Sequence, residues 1–485
     1  MVFAGCGTRL PQTAIRAAAA GNTAIGTGLS DESARGSGPP DGSSAHAQAN
    51  TGLTSGTSGG GLSDQGAAPA ATAVTSVSGS STGSVSHGSD PSSATGAGTS
   101  SAPTNSSHTP AGAGAAPGPA TPSVANGSTV VVGNVGDYSG VLGALLGPAQ
   151  GGLEVWAKYT NAHGGLNGHP VQVIIADSGG DPSLDQTDVE QMVQQDHAIA
   201  MVGDMDILDT TGNQQYLISR GIPVVGGDLA GNIYFTSPNY FPEGASFTTL
   251  APVGITAAIR EGKKNVGMVY CVETPFCEAG VSGLPAAVAS AGGRLTYDAA
   301  ASLTSPSFTS QCLGAQSEGV QVLELLLDAA SITRFAEDCA AQGYNPLYET
   351  VSLGAVPSLD SVPQLNGLIL PTSTFPFVSG SSPATSAFQT AMSDYDPSQP
   401  AGPAASIEWT SGQLVAAGAG QMGPTPSSAE LTAGLDALKN NTLNGLTVPL
   451  TFHAGSTATV PNCVFLQEIR DGTWIAPNGL SAVCT

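Results

Sequence analysis

The residues able to do chemistry fall into four sets. Six cysteines occupy the second half of the chain: Cys271, Cys277, Cys312, Cys339, Cys463 and Cys484. No CxxC and no Cys/His cluster at zinc spacing occurs, so metal is a poor explanation, while an even number suits three bridges. Their order suggests the partners. Cys271 and Cys277 flank a short loop containing Pro275, and Cys463 and Cys484 sit near the two ends of the last segment. Cys312 and Cys339 lie on helical segments before and after the apolar run 320–327, which right-handed winding places side by side on one sheet face. The alternative is six reduced thiols of a cytosolic protein. Asp177 and Asp181 could be paired carboxylates for acid–base work or Ca²⁺. Asp181, however, directly precedes Pro182 and reads as a helix N-cap, and Asp177 as the polar residue ending a strand. His163, His169, His197 and His453 are scattered and read as surface residues. Gly418-Ala-Gly420-Gln-Met-Gly423 matches a dinucleotide pattern but follows a helical run and no strand, and no GxSxG elbow occurs from Thr129 onward. Catalysis, a cofactor and a metal are therefore not expected.

The charge balance narrows the class. With 36 acids against 12 bases the formal net charge is −24, which argues against nucleic acid and against an anionic membrane surface as partners. No run of eighteen apolar residues is present to span a bilayer. From Thr8 to Gly127 the chain is mainly Ser, Thr, Gly, Ala and Pro, broken by isolated Asp, Arg and His, without an aromatic residue, and its few aliphatics show no helix or strand period. Such a stretch cannot offset roughly 1–2 kcal/mol of backbone entropy per residue and is expected to be a disordered tether. Ahead of it, Phe3-Ala4-Gly5-Cys6 resembles a bacterial lipobox, whose Cys is diacylated. Without a basic region or apolar core before it, the start is expected to lie inside the signal sequence, with residues 1–7 its remnant. Lipid on Cys6 would then be the chain's only attachment to the membrane, and the tether its spacer.

These groups need elements to position them. Beyond Thr129 the pattern is strand and helix in alternation. Strands are expected at 130–132, 171–176, 199–202, 222–225, 266–270 and 320–327. Helices are expected after Asp181-Pro182, with Leu184, Val189, Met192 and Val193 as an apolar stripe, and over 213–220, stopped by Gly221. Ile332, Phe335, Ala336 and Cys339 at i, i+3, i+4 and i+7 mark another buried helix face. Near-continuous apolar strands separated by helices predict an α/β protein with mainly parallel sheets covered on both faces. Ligands of such sheets sit beyond the carboxyl ends of the strands, so the loops that follow each strand are the candidate site.

The loops and turns resemble a known family. Gly133-Asn-Val-Gly-Asp-Tyr-Ser139-Gly140, Gly151-Gly-Leu-Glu-Val-Trp156 and Asn161-Ala-His-Gly-Gly-Leu-Asn-Gly168 are similar to the opening of type I periplasmic binding proteins. Among its branches they resemble the leucine/branched-chain amino acid receptors of ABC importers. Asp177-Ser-Gly-Gly-Asp181-Pro182, Met201-Val-Gly203 and Arg220-Gly-Ile-Pro-Val-Val225 continue the pattern, and the resemblance spans about 128–475. It implies two α/β lobes joined by crossing strands, with a solute closed between them: lobe 1 at about 128–249 and 371–440, lobe 2 at about 250–370 and 441–485.

The family's ligand positions correspond here to Tyr138 and Ser139 after the first strand, Asp206 and Ile207, Asp228 and Leu229, then Asp328 and Ser352 in the second lobe. Glu273, following its strand on the cleft side, is a further candidate, or else a solvated loop acid. The hydroxyls that would hold an amino-acid head group are missing, and Asp206 and Asp228 stand at or beside their places. Leucine, isoleucine and valine are therefore expected to bind poorly, and a neutral polar or cationic solute better, unless both acids turn away to cap helices. The expected protein is an extracytoplasmic, lipid-anchored monomer delivering a small molecule to ABC permease subunits, without enzymatic activity. The alternative is a ligand-sensing ectodomain acting through a separate membrane partner.

Overall fold

A computed structural model describes residues 125–208, 211–399 and 401–484. The lipobox with Cys6 and the tether up to residue 124 lie outside the described residues. Among the described residues, Asn126 and Gly127, ahead of Thr129, already donate backbone hydrogen bonds to the carbonyl of Gly168.

Two β-branched runs found the first sheet. Val130–Gly136 (β1) pairs in parallel with Val171–Asp177 (β2), Val130 opposite Val171 and Gly136 opposite Asp177. Met201–Asp204 (β3), Val224–Gly227 (β4) and Tyr240–Phe241 (β5) extend it, giving the order β2-β1-β3-β4-β5. Helix Pro403–Gly418 returns from late in the sequence to cover β3 and β4. Its approach depends on two glycines at positive φ, Gly203 (+69°) and Gly226 (+70°). A Cβ on the first would collide with the Glu408 carboxylate, and on the second with the Ser411 side chain.

The second sheet repeats the winding. Asn265–Cys271 (β6), Arg294–Ala301 (β7), Val322–Leu326 (β8), Leu347–Glu349 (β9) and Ile369–Thr372 (β10) run in the order β7-β6-β8-β9-β10. Cys463–Arg470 (β11) then adds antiparallel to β10, Ile369 opposite Glu468, and Thr473–Ile475 (β12) and Val483–Cys484 (β13) pair antiparallel with β11. The stripe Ile332, Phe335, Ala336 and Cys339 is fully buried on helix Ala329–Ala341. Three disulfides close as the sequence order suggested: Cys271–Cys277, Cys312–Cys339 and Cys463–Cys484, with Cα separations of 5.2, 5.0 and 4.0 Å.

The chain passes between the two sheets at three neighbouring places. Thr374 bridges Thr447, the Thr447 hydroxyl donates to the carbonyl of Glu243, and Gly244 lies against Ser373 so closely that a Cβ would stand 2.6 Å from its carbonyl oxygen. The crossing is thus cross-linked by backbone and hydroxyl groups with no room for bulk.

Some expectations need correction. Strands β3, β4 and β8 begin two residues later than their apolar runs, since Ile199, Ile222 and Val320 finish the preceding turns. Leu184, expected in the buried stripe of helix Pro182–Gln194, is 43% exposed. His169 is not a surface residue: it is buried, with Nδ1 2.8 Å from the carbonyl of Ser128.

Candidate functional site

Both parallel sheets reverse their winding beside their first strand, between β1 and β3 and between β6 and β8, and open crevices form at such switch points. In this chain the two crevices face one cavity. From the first sheet come Leu142 and Leu145 after β1 and Ile207 after β3, with Phe247 entering from the crossing. From the second come Cys271, Thr274, Phe276 and Cys277 after β6, Leu303 after β7, Leu326, Leu327 and Asp328 at the end of β8, and Leu353 and Gly354 after β9. In this conformation the walls nearly meet: the room between them is about 20 Å³, close to that of a single water, so a solute enters only when the lobes part.

Local chemistry explains how each wall is held. Asp137 ties the first-sheet loops together: its backbone N–H donates to Met205 O (2.8 Å), and its carboxylate accepts from Ser178 Oγ (2.9 Å) and Leu208 N (3.1 Å). Burial pushes its pKa up, and the Ser178 and Leu208 bonds oppose that shift. In the second sheet, Thr274 caps helix Pro275–Gly280 by accepting from Phe276 N, which seats the Phe276 ring 4.8 Å from that of Phe247. Asp328 caps helix Ala329–Ala341 by accepting from Ser331 N at 2.7 Å. The Cys271–Cys277 bridge closes the loop that carries Thr274 and Phe276. It makes this wall a covalent ring rather than a mobile loop.

Of the nine residues the sequence suggested, Ile207 and Asp328 line the cavity. Ser352 opens the short turn that presents Leu353 and Gly354. Tyr138 points into the first lobe, where its hydroxyl donates to Asn134 Oδ1 (2.6 Å). Ser139 uses its N–H to bond Asp177, and Leu229 is buried at φ +52° among the first-lobe core. Glu273 is consumed in bracing its own loop, accepting from Ser302 Oγ (2.7 Å), Leu303 N (2.8 Å) and Val272 N (3.0 Å).

Asp206 and Asp228, expected to face the solute, turn inward instead. Asp206 faces a small interior space shared with Asp204, Asn213, Tyr234 and Tyr240. Asp228 folds back to accept from Ala230 N at 2.6 Å. Burial is the main cause that raises the pKa of each, reinforced by neighbouring acids, and Asp228 is pushed up to about 7. The wall that sequence reasoning missed is apolar: Leu142, Leu145, Phe247, Phe276 and Leu326 carry no polar signal and look like core residues. Only their position at or after strand ends, or at the crossing for Phe247, could have singled them out.

Among the described residues no group of three or more His, Cys, Asp or Glu side chains is arranged to hold a metal ion, and no helix is long and apolar enough to cross a membrane. Two open sheets wound alike, three crossings and one cavity at both switch points define a two-lobed binding protein. The chain belongs to the periplasmic binding protein family, type I, whose family model matches residues 129–473. Solved structures agree in fold. The solute-binding protein of an ABC transporter from R. palustris, in complex with benzoate, is 18% identical, covers 74% of this chain and 98% of its own, and superposes with a TM-score of 0.60. A fatty acid ABC transporter substrate-binding protein from Thermomonospora curvata is 16% identical over 75% and 94%, with a TM-score of 0.62. A branched-chain amino acid ABC transporter protein from Thermus thermophilus with bound valine is 13% identical over 74% and 97%, with a TM-score of 0.65. A comparison with curated proteins returns no match. The family is one of ligand-binding receptors that act outside the cytoplasm.

Proposed function

We propose that the chain is a solute-binding lipoprotein that captures a small molecule in the inter-lobe cavity and presents it, as a monomer, to the permease of an ABC importer. The observation that carries this reading is the cavity itself, where the ends of β1 and β3 meet the ends of β6 and β8. Ile207 and Asp328 are contacts on the two sides. The relatives' printed ligands, benzoate, fatty acid and valine, support a small organic molecule. Closure of the lobes around it would exclude water and signal occupancy to the membrane partner. Anchoring rests on Cys6, and residues 8–127 provide reach from the membrane.

The test uses the full chain and its importer in proteoliposomes. ATP hydrolysis should rise when the wild-type protein and its solute are added, and should not rise with a Leu145→Trp variant that fills the cavity. Solute binding without any effect on the ATPase would favour the sensing ectodomain instead.

A further inference from the structure

The cavity walls carry more information than its location. Nine of the fourteen lining residues are Leu, Ile or Phe and two more form a disulfide, so nearly all the surface offered to a solute is apolar. The polar exceptions, Thr274 and Asp328, both belong to the second lobe. Thr274 already accepts from Phe276 N, and its hydroxyl proton remains able to donate. Asp328 has one oxygen engaged by Ser331 N. No Lys, Arg or His lines the cavity.

We infer that the solute is a neutral, largely hydrocarbon molecule with one hydroxyl- or amide-like group, its apolar body between Leu142, Ile207, Phe247 and Leu326 and its polar group at Thr274 or Asp328. This deepens the solute-binding reading and rests on it. A carboxylate would enter without a cation or a set of donors, beside the acid Asp328, and burying an unpaired charge in such a site is prohibitive. An α-amino acid needs partners for both its charged groups, and the walls supply neither in full. An ammonium could approach Asp328, but its remaining donors would face leucine and phenylalanine side chains. A sugar would leave several hydroxyls unpaired. A neutral molecule with one polar group meets every requirement. The geometry therefore replaces the polar or cationic solute expected from Asp206 and Asp228, which do not face the cavity.

A thermal-shift panel on the full chain tests this. The neutral apolar probes are cyclohexanol, 1-hexanol and benzyl alcohol; the polar and charged probes are valine, putrescine, ribose and benzoate. Members of the first group should raise Tm by about 2 °C or more at concentrations well above Kd. Leu145→Trp should abolish that rise while keeping the ligand-free Tm and circular dichroism. Asp328→Asn keeps a cap oxygen for Ser331 N and removes the charge, so benzoate should gain at least about tenfold in affinity relative to benzyl alcohol. A rise confined to valine, putrescine or ribose, lost in Leu145→Trp, would overturn the apolar class and leave solute binding intact. No rise with any probe would overturn both.

Discussion

Raising the pH from 4.5 to 7.5 should destabilise this protein, the reverse of what acid-labile proteins do. Asp204, Asp206, Asp228, Glu243, Glu324 and Glu408 are all buried, three of them with no exposed surface at all. Among the described residues the ion pairs are Lys158–Glu154 and Arg470–Glu468, both at the surface, so no cation compensates the interior acids. Burial is the leading cause that holds each of the six carboxyls above its ordinary range, and neighbouring acids raise all but Glu324 further or oppose the relief from hydrogen bonds.

The sign follows from linkage. A carboxyl whose pKa is higher in the folded than in the unfolded chain binds more protons when folded. Its stabilising effect is complete below the unfolded pKa and disappears as pH rises through the folded one. For Asp228 the two values are 3.8 and about 7. Stability should fall across that window by about 1.4 kcal/mol per pH unit, or on the order of 4 kcal/mol from this group alone. Urea unfolding of the full chain at pH 4.5, 5.5, 6.5 and 7.5, with the disulfides intact, reads this directly. Asp228→Asn should flatten the profile by about 3 kcal/mol between pH 4.5 and 7, and Glu408→Gln should stabilise the protein at pH 7.5. A midpoint that rises from pH 4.5 to 7.5, or that is unmoved by Asp228→Asn, would refute the reasoning.

Replacing both Cys312 and Cys339 by Ser should cost roughly 3–4 kcal/mol for a loop of this length, measured as a lower urea midpoint. Gly226→Ala forces a left-handed residue and a clash with Ser411 beneath helix Pro403–Gly418, and should lower stability by about 2–3 kcal/mol. Cys6→Ala should release the protein from the membrane fraction in cells and abolish labelling by radioactive palmitate. The composition of residues 8–127 predicts that subtilisin trims the chain to a stable fragment starting near Asn126 with an unchanged Tm.

The parts of the fold legible in the sequence are those fixed by local rules. The 332/335/336/339 stripe announced a buried helix face, and Asp181 before Pro182 announced a cap that accepts from Ser183 N and Leu184 N. The cysteine pairs followed because right-handed winding brings successive helices together on one sheet face. The antiparallel strands β11 to β13 were not legible, since a strand's direction depends on its neighbour and not on its own pattern. The site divides the same way. Loops that follow strands line the cavity, and Ile207 and Asp328 stand in them. Side-chain direction within a loop was not encoded locally. Asp206 and Ile207 are adjacent, yet one faces the lobe interior and the other the cavity. Apolar cavity residues such as Phe247 and Phe276 have the same sequence signature as core, because only a second lobe makes their surface a wall.

The most direct test of the account is a crystal structure of the protein with the neutral apolar probe that gives the largest thermal shift. The probe's density is expected between Leu142 and Ile207 on one lobe and Phe276 and Leu326 on the other, its polar atom within hydrogen-bond distance of Thr274 or Asp328. Density for the probe outside this cavity, with the lobes meeting across it as they do without probe, would contradict it.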